Sequence, residues 1–146
     1  MNLVVDTNIV FSTLLNPNST IGELLMNVQD KFTFFAPELL IEEIERYSDK
    51  IELYSKLNKK ELKNIKLLIL NTIEFVTEDL ISKESWEKAF KLTKDIDEFD
   101  TPFIALSIEL STKLWTGDKK LIKGLISHNS ELIISTDELK KYLIFH

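Results

Sequence analysis

The sequence predicts an α/β protein, a three-layer α/β/α sandwich around a five-stranded parallel sheet. Two observations predict it. Five short apolar runs, rich in β-branched and aromatic residues, alternate with segments of helical periodicity, the arrangement that produces parallel strands joined by helices. Glycine and proline number only three each, which leaves little chain for long irregular loops. Right-handed crossovers then restrict the topology, and the 146 residues favour one domain spanning 1–146.

The elements follow in order. "NLVV" (2–5) reads as a buried strand, followed by a polar turn at "NPNST" (16–20). Ile21, Leu24, Leu25 and Val28 fall at the spacing of one helix face. "FTFFA" (32–36) is aromatic and β-branched, hence a strand. Pro37 then opens a helix to about Ser48, as a first-turn proline can. Asn58 caps a helix carrying Leu62, Ile65 and Ile69. "TIEFV" (72–76) is the third strand. Ser82 starts a helix with Trp86, Ala89, Phe90 and Thr93 on one face. Asp100, Thr101 and Pro102 start another, "FIALSIEL", apolar nearly all round and therefore central. "KLW" (113–115) and "ELIIS" (131–135) are the last strands, separated by a helix over 119–126. "STDE" (135–138) matches a capping box before the final helix.

Composition excludes several classes. There is no cysteine, so no disulfide framework, thiolate nucleophile or thiolate metal site. No apolar run in the body of the chain is longer than "LLIL" (67–70), far below a membrane span. "MNLVVDTN" lacks the basic start and apolar core of a signal peptide, so the expected location is the cytoplasm. The formal net charge of −6 is a poor match for nucleic acid; such a ligand requires local positive charge or a metal.

Several acids stand where an open α/β sheet binds ligands, beyond the carboxyl ends of its strands. Asp6 follows the first strand directly, and Asp118 closes "LWTGD" after the fourth. Each also reads as a turn or cap residue, as does Asn8, which can otherwise position a nearby carboxylate. Thr116 and Gly117 precede Asp118 and add weight to a site, the glycine by letting the backbone approach closely. Glu43 borders the Leu40, Ile44, Tyr47 stripe, whereas Glu42 and Glu45 point outward. It is either an inward ligand or a boundary residue snorkelling to water. Asp100 reads as the cap of the apolar helix. With Asp97 it belongs to "DIDEFD" (95–100), a solvated acidic turn or a metal-binding rim. Carboxylates that cluster repel, so they take up protons or share a cation. Without cysteine, and with two histidines (His128 and His146) expected at the surface, oxygen donors favour Mg²⁺ or Mn²⁺ over zinc.

The chain resembles the PIN domain family of metal-dependent ribonucleases, which includes the toxins of bacterial toxin–antitoxin systems. The resemblance rests on "VVDTNIV", "PELLIEEI", "DEFDTPFIALSIEL" and "LWTGDKKLIKGL". It implies sheet order 3-2-1-4-5, which makes the strands of Asp6 and Asp118 neighbours. It matches Asp6, Glu43, Asp100 and Asp118 to the family's catalytic, metal-holding acids, Asp97 to a less regular further acid, and Asn8 and Thr116 to supporting polar residues. It implies Mg²⁺ or Mn²⁺ as cofactor, RNA as substrate, an antitoxin protein as partner and a homodimer as assembly.

RNA-binding candidates are Lys119 and Lys120 beside Asp118, and Arg46, the one arginine, on the helix of Glu43. Lys123 and the run Lys59, Lys60, Lys63, Lys66 are further cations. All the lysines also read as solvated helix surface. A catalytically silent PIN-fold module that binds RNA or protein is the alternative; a full acidic quartet argues against it. A phosphotransfer protein using Asp6 as nucleophile would want a second acid two residues on, where Asn8 stands.

Overall fold

The computed structural model describes residues 1–145. The side chains of His128 and His146, expected at the surface, lie outside what it describes. Five strands form one parallel sheet: β1 (Asn2–Val5), β2 (Thr33–Pro37), β3 (Ile73–Val76), β4 (Lys113–Trp115) and β5 (Ile133–Ile134). Their order is β3-β2-β1-β4-β5, as the resemblance implies. Successive strand residues point to opposite faces, and Leu3, Val4 and Val5 are all fully buried. Both faces of the sheet are therefore covered at its centre, as a parallel sheet requires.

The helices are α1 (Thr7–Leu15), α2 (Thr20–Asn27), α3 (Leu39–Arg46), α4 (Ser48–Tyr54), α5 (Lys59–Thr72), α6 (Lys83–Thr93), α7 (Thr101–Glu109), α8 (Lys119–Asn129) and α9 (Thr136–Phe145). α7 lies across β1, β2 and β4. Phe103, Ile104, Ala105 and Leu106 are buried in succession, so this helix has no solvent stripe over that stretch, as its composition predicts. Its buried Ser107 hydroxyl donates to Phe103 O, which satisfies it without leaving the helix. A hydroxyl pair, Thr93–Thr101 at 2.7 Å, ties the end of α6 to the start of α7.

Four elements differ from the sequence reading. α1 follows β1 at once and is absent from it. Ile9, Val10, Thr13 and Leu14 are all buried along it, and β-branched residues blur a helical stripe. Pro37 ends β2, paired with Val76, instead of opening the next helix. A proline is tolerated there because at the last residue of the strand its missing N–H interrupts little of the ladder. The helix expected to about Ser48 stops at Arg46; Tyr47 (φ −99°, ψ 15°) turns the chain into α4. β5 holds only Ile133–Ile134, since residues 130–132 form a 3-10 turn. Phe90, expected on the buried face of α6, is exposed. Asn58 caps α5 as the sequence predicts, with Glu61 completing a capping box, and the Ser135–Glu138 box forms as predicted.

After α7 the chain reverses into β4 through Ser111, at φ +51°. Thr112 N donates to Ser107 O and Ser111 N to Ile108 O, the pattern of a Schellman cap. A left-handed non-glycine residue is strained there. Ser111→Gly is expected to raise stability by about 0.5–1 kcal/mol, read as a higher denaturant midpoint with unchanged m.

Candidate functional site

β1 is where the strand order reverses: β2 and β3 lie on one side, β4 and β5 on the other. Such a switch point opens a crevice at the carboxyl ends of the central strands. Val5 pairs with Trp115, and Asp6 N extends the ladder to Trp115 O at 3.0 Å. This register sets Asp6 beside Thr116.

Asp6 is only 7% exposed, so its charge must be hydrogen-bonded. Its Oδ1 accepts from Thr7 N at 2.8 Å, and its Oδ2 accepts from the Thr116 hydroxyl at 2.6 Å. The Thr116 hydroxyl, fully buried, accepts in turn from Asp118 N at 3.0 Å and from Asn8 Nδ2 at 3.4 Å. Asn8 Oδ1 accepts from Gly117 N at 3.3 Å. One hydroxyl thus links the ends of β1 and β4. A methyl group at Gly117 would meet nothing within 4 Å, so the close approach expected of that glycine is not what holds the turn.

Thr7 joins this network to α3. Its hydroxyl donates to Glu43 Oε1 at 3.2 Å. Glu43 is half-buried, while Glu42 and Glu45 are exposed, and Glu45 pairs instead with Lys66. Asp118 Oδ1 accepts from Lys120 N and Leu121 N at 3.0 and 3.1 Å, so it also caps α8. Asp97 accepts from Phe99 N. Asp100 stands at the cap position of α7 but makes no side-chain cap bond, and its Oδ2 is buried without a hydrogen-bond partner.

Asp6, Asn8, Glu43, Asp97, Asp100 and Asp118 line one cleft of about 340 Å³, with Thr116 beneath it. Of the expected cations, Lys119, Lys120 and Arg46 are not among the lining residues; Lys50 of α4 is. Phe11, Tyr47 and Phe99 also line it, the first two in edge-to-face contact with ring centroids 6.3 Å apart. Thr7, Lys50, these aromatic residues and the buried Phe103 are the cleft residues that the sequence reading missed. "DTN" carried a signal for Thr7, but Lys50 reaches the cleft only because the chain turns at Tyr47.

Burial pushes the Asp6 carboxyl up to about 6, against the bonds from Thr116 and Thr7 and with added repulsion from Asp118. Burial and repulsion from Asp6, Asp118, Asp97 and Glu43 push Asp100 up to about 8. Glu43 is raised by burial too, less the hydrogen bond from Thr7 and the charge of Arg46. Among the described residues no three carboxylates form a group spaced to hold a metal ion. The donors are hard oxygens nonetheless, and Mg²⁺ commonly takes one or two carboxylates and keeps several waters. Asp100 Oδ2, buried and unpartnered, is the atom with most to gain from a cation.

A model of the PIN domain family matches residues 4–143. The chain belongs to the PIN domain family. Among solved structures, a chain of VapBC2 from Rickettsia felis, crystallised bound to a DNA fragment from their promoter, is similar in fold. The similarity covers 92% of this chain and 98% of that one, at 15% identity and a TM-score of 0.62. No curated protein matches this chain in sequence. Among the described residues of this PIN domain no helix is long and apolar enough to cross a membrane.

Two outcomes follow from this geometry. A carboxyl whose pKa is higher folded than unfolded binds more protons in the native state, so stability falls as pH rises between the two values. In chelating buffer the PIN domain is therefore expected to lose stability from about pH 4 to about pH 8. Asp100→Asn should flatten most of that slope, read from denaturation midpoints across pH. Thr116→Val keeps the shape but removes the hydroxyl from a buried carboxylate, and should cost about 1–3 kcal/mol by urea unfolding at pH 8.

Proposed function

We propose that this PIN domain is a metal-dependent ribonuclease. The observation that carries the reading is the Asp100 carboxyl, unpartnered at Oδ2 and repelled by Asp6, Asp118, Asp97 and Glu43 within one cleft. Acids assembled at a mutual electrostatic cost, at the ligand-binding edge of the sheet, suit a site completed by a cation. Asp6, Asp100 and Asp118 would hold Mg²⁺ or Mn²⁺, with Glu43 and Asp97 beside them. The bound ion would activate water near neutral pH and neutralise charge on the scissile phosphate.

The chain's own residues do the rest. Thr116 and the Thr7 N–H aim the Asp6 carboxylate and limit its rotation, so little reorganisation is needed when charge develops. Thr7 does the same for Glu43. Glu43, half-buried and with its proton affinity raised, is placed to orient a water. Lys50 supplies a positive charge at the cleft for a non-bridging phosphate oxygen. In an acidic chain, the metal and this lysine are what admit a polyanion.

The same reading makes the protein the toxin of a toxin–antitoxin pair, working in the cytoplasm, with an antitoxin protein covering the cleft. The similarity of fold to a chain of a VapBC2 complex supports it.

Purified protein is expected to cut a mixed RNA pool with Mg²⁺ or Mn²⁺ and to stop with EDTA. Asp6→Asn should lower cleavage by more than about 100-fold, roughly 3 kcal/mol of barrier, while the circular dichroism spectrum stays native. Asp118→Asn tests charge apart from capping, because asparagine caps a helix as well as aspartate does. It should lose cleavage with stability no lower, since the Asp118 charge also repels Asp6 and Asp100. A folded protein that cuts no RNA with either metal would leave the silent, RNA- or protein-binding module.

A further inference from the structure

Phe99 lines two adjoining depressions. One is the acidic cleft; the other is a groove of about 530 Å³ with Trp86, Phe90 and Pro102 in its wall. Phe99 is 66% exposed and Phe90 50% exposed, large apolar rings left in water beside the candidate active site. Exposed aromatic groups in a contiguous patch mark a binding surface more than a packing defect. Charge tells which kind. The groove also carries Lys83, Glu87 and Glu98, a net charge of −1, so it is not a track for phosphates. What it offers is aromatic side chains and a proline, joined through Phe99 to a cleft that would hold the scissile phosphate.

Building on the ribonuclease reading, we propose that Phe99, with Phe90 and Trp86, forms a nucleobase-stacking site that seats an unpaired base of the RNA next to the cleaved bond. The inference follows from what the cleft lacks. An acidic protein whose cleft is lined by a single lysine, Lys50, gains little affinity from phosphate contacts. Stacking of bases on aromatic side chains is tolerant of sequence and independent of net charge, and can supply the missing affinity. It also selects unpaired strands, because a base within a duplex has no free face. Phe99 belongs to both the cleft and the groove, and the edge-to-face pair Phe11–Tyr47 also lines the cleft.

The test is binding, measured apart from cleavage. In Asp6→Asn protein with Mg²⁺, fluorescence anisotropy is followed with a fluorescein-labelled single-stranded RNA about ten nucleotides long, and with its duplex. Phe99→Ala and Phe99→Leu are expected to weaken single-strand binding by about 10-fold or more. Phe99→Tyr should restore it, which a merely apolar role would not require. Duplex binding should be weaker and insensitive to Phe99. Sedimentation should show the same oligomeric state for all variants.

Single-strand binding that is unchanged in Phe99→Ala overturns the stacking site. So does a change of oligomeric state in Phe99→Ala or Phe90→Ala, which would assign the patch to an interface between copies of this chain. The two proposals fail separately. If the wild-type protein cuts RNA and Phe99→Ala cuts and binds as well, only the stacking site falls. If the wild-type protein cuts nothing and Asp6→Asn protein binds no RNA, the ribonuclease reading falls and the stacking site with it.

Discussion

The pairing of β1 with β4 is the constraint on which the cleft depends. With Val5 opposite Trp115, the next residue on each strand is Asp6 and Thr116, and a hydroxyl meets a carboxylate at 2.6 Å. A slip of one residue would turn every side chain of β1 to the other face and leave Asp6 buried without its second donor. Both strands are pinned against that slip. Leu3, Val4 and Val5 are buried on β1, and Leu114 and Trp115 on β4. The Trp115 ring lies 5.9 Å from that of Phe34, and its Nε1 donates to the Thr136 hydroxyl at the start of α9. Core packing thereby holds the alignment of a polar site at its edge.

From that pair the network spreads by hydrogen bonds, each of which satisfies a buried or half-buried group. Thr116 receives the Asp118 N–H, so the turn after β4 is shaped around the same hydroxyl that holds Asp6. Thr7 gives its N–H to Asp6 and its hydroxyl to Glu43, so α3 is tied to the end of β1. Asp100 stands outside this economy. It is carried to the cleft by α7, the helix that packs across β1, β2 and β4, and no hydrogen bond rewards its Oδ2. The core of the protein thus holds an unpartnered carboxyl among other acids, with its proton affinity raised, a pattern that accompanies functional sites more than structural ones.

The positive charges are placed with less regard to the acids than the sequence suggests. The lysine-rich start of α5 does not face the cleft. Lys59, Lys63 and Lys66 line a separate depression with Leu14, Ile44 and Leu62, and Lys66 pairs with Glu45. Lys119 and Lys120 are exposed on α8, beyond the residue that caps it. Lys50, on a helix absent from the sequence reading, is the lysine that lines the acidic cleft.

Local chemistry was enough to determine the alternation of strands and helices, the central helix, the Asn58 cap, the capping box at Ser135, and the inward choice of Glu43 over Glu42. Each depends on residues within a turn or two, where period and capping act directly. It also determined that Asp6 and Asp118 sit at strand ends. Tertiary structure decided the rest. α1 and the break at Tyr47 were illegible because burial from all sides erases a stripe and because a bend between two helices needs no glycine or proline. That bend brings Lys50 and Tyr47 to a cleft whose acids come from the far ends of the chain, and the approach of α6 to the turn before α7 sets Phe90 and Phe99 along one groove. Contacts between residues far apart in sequence depend on how helices pack over the sheet, which no local pattern encodes.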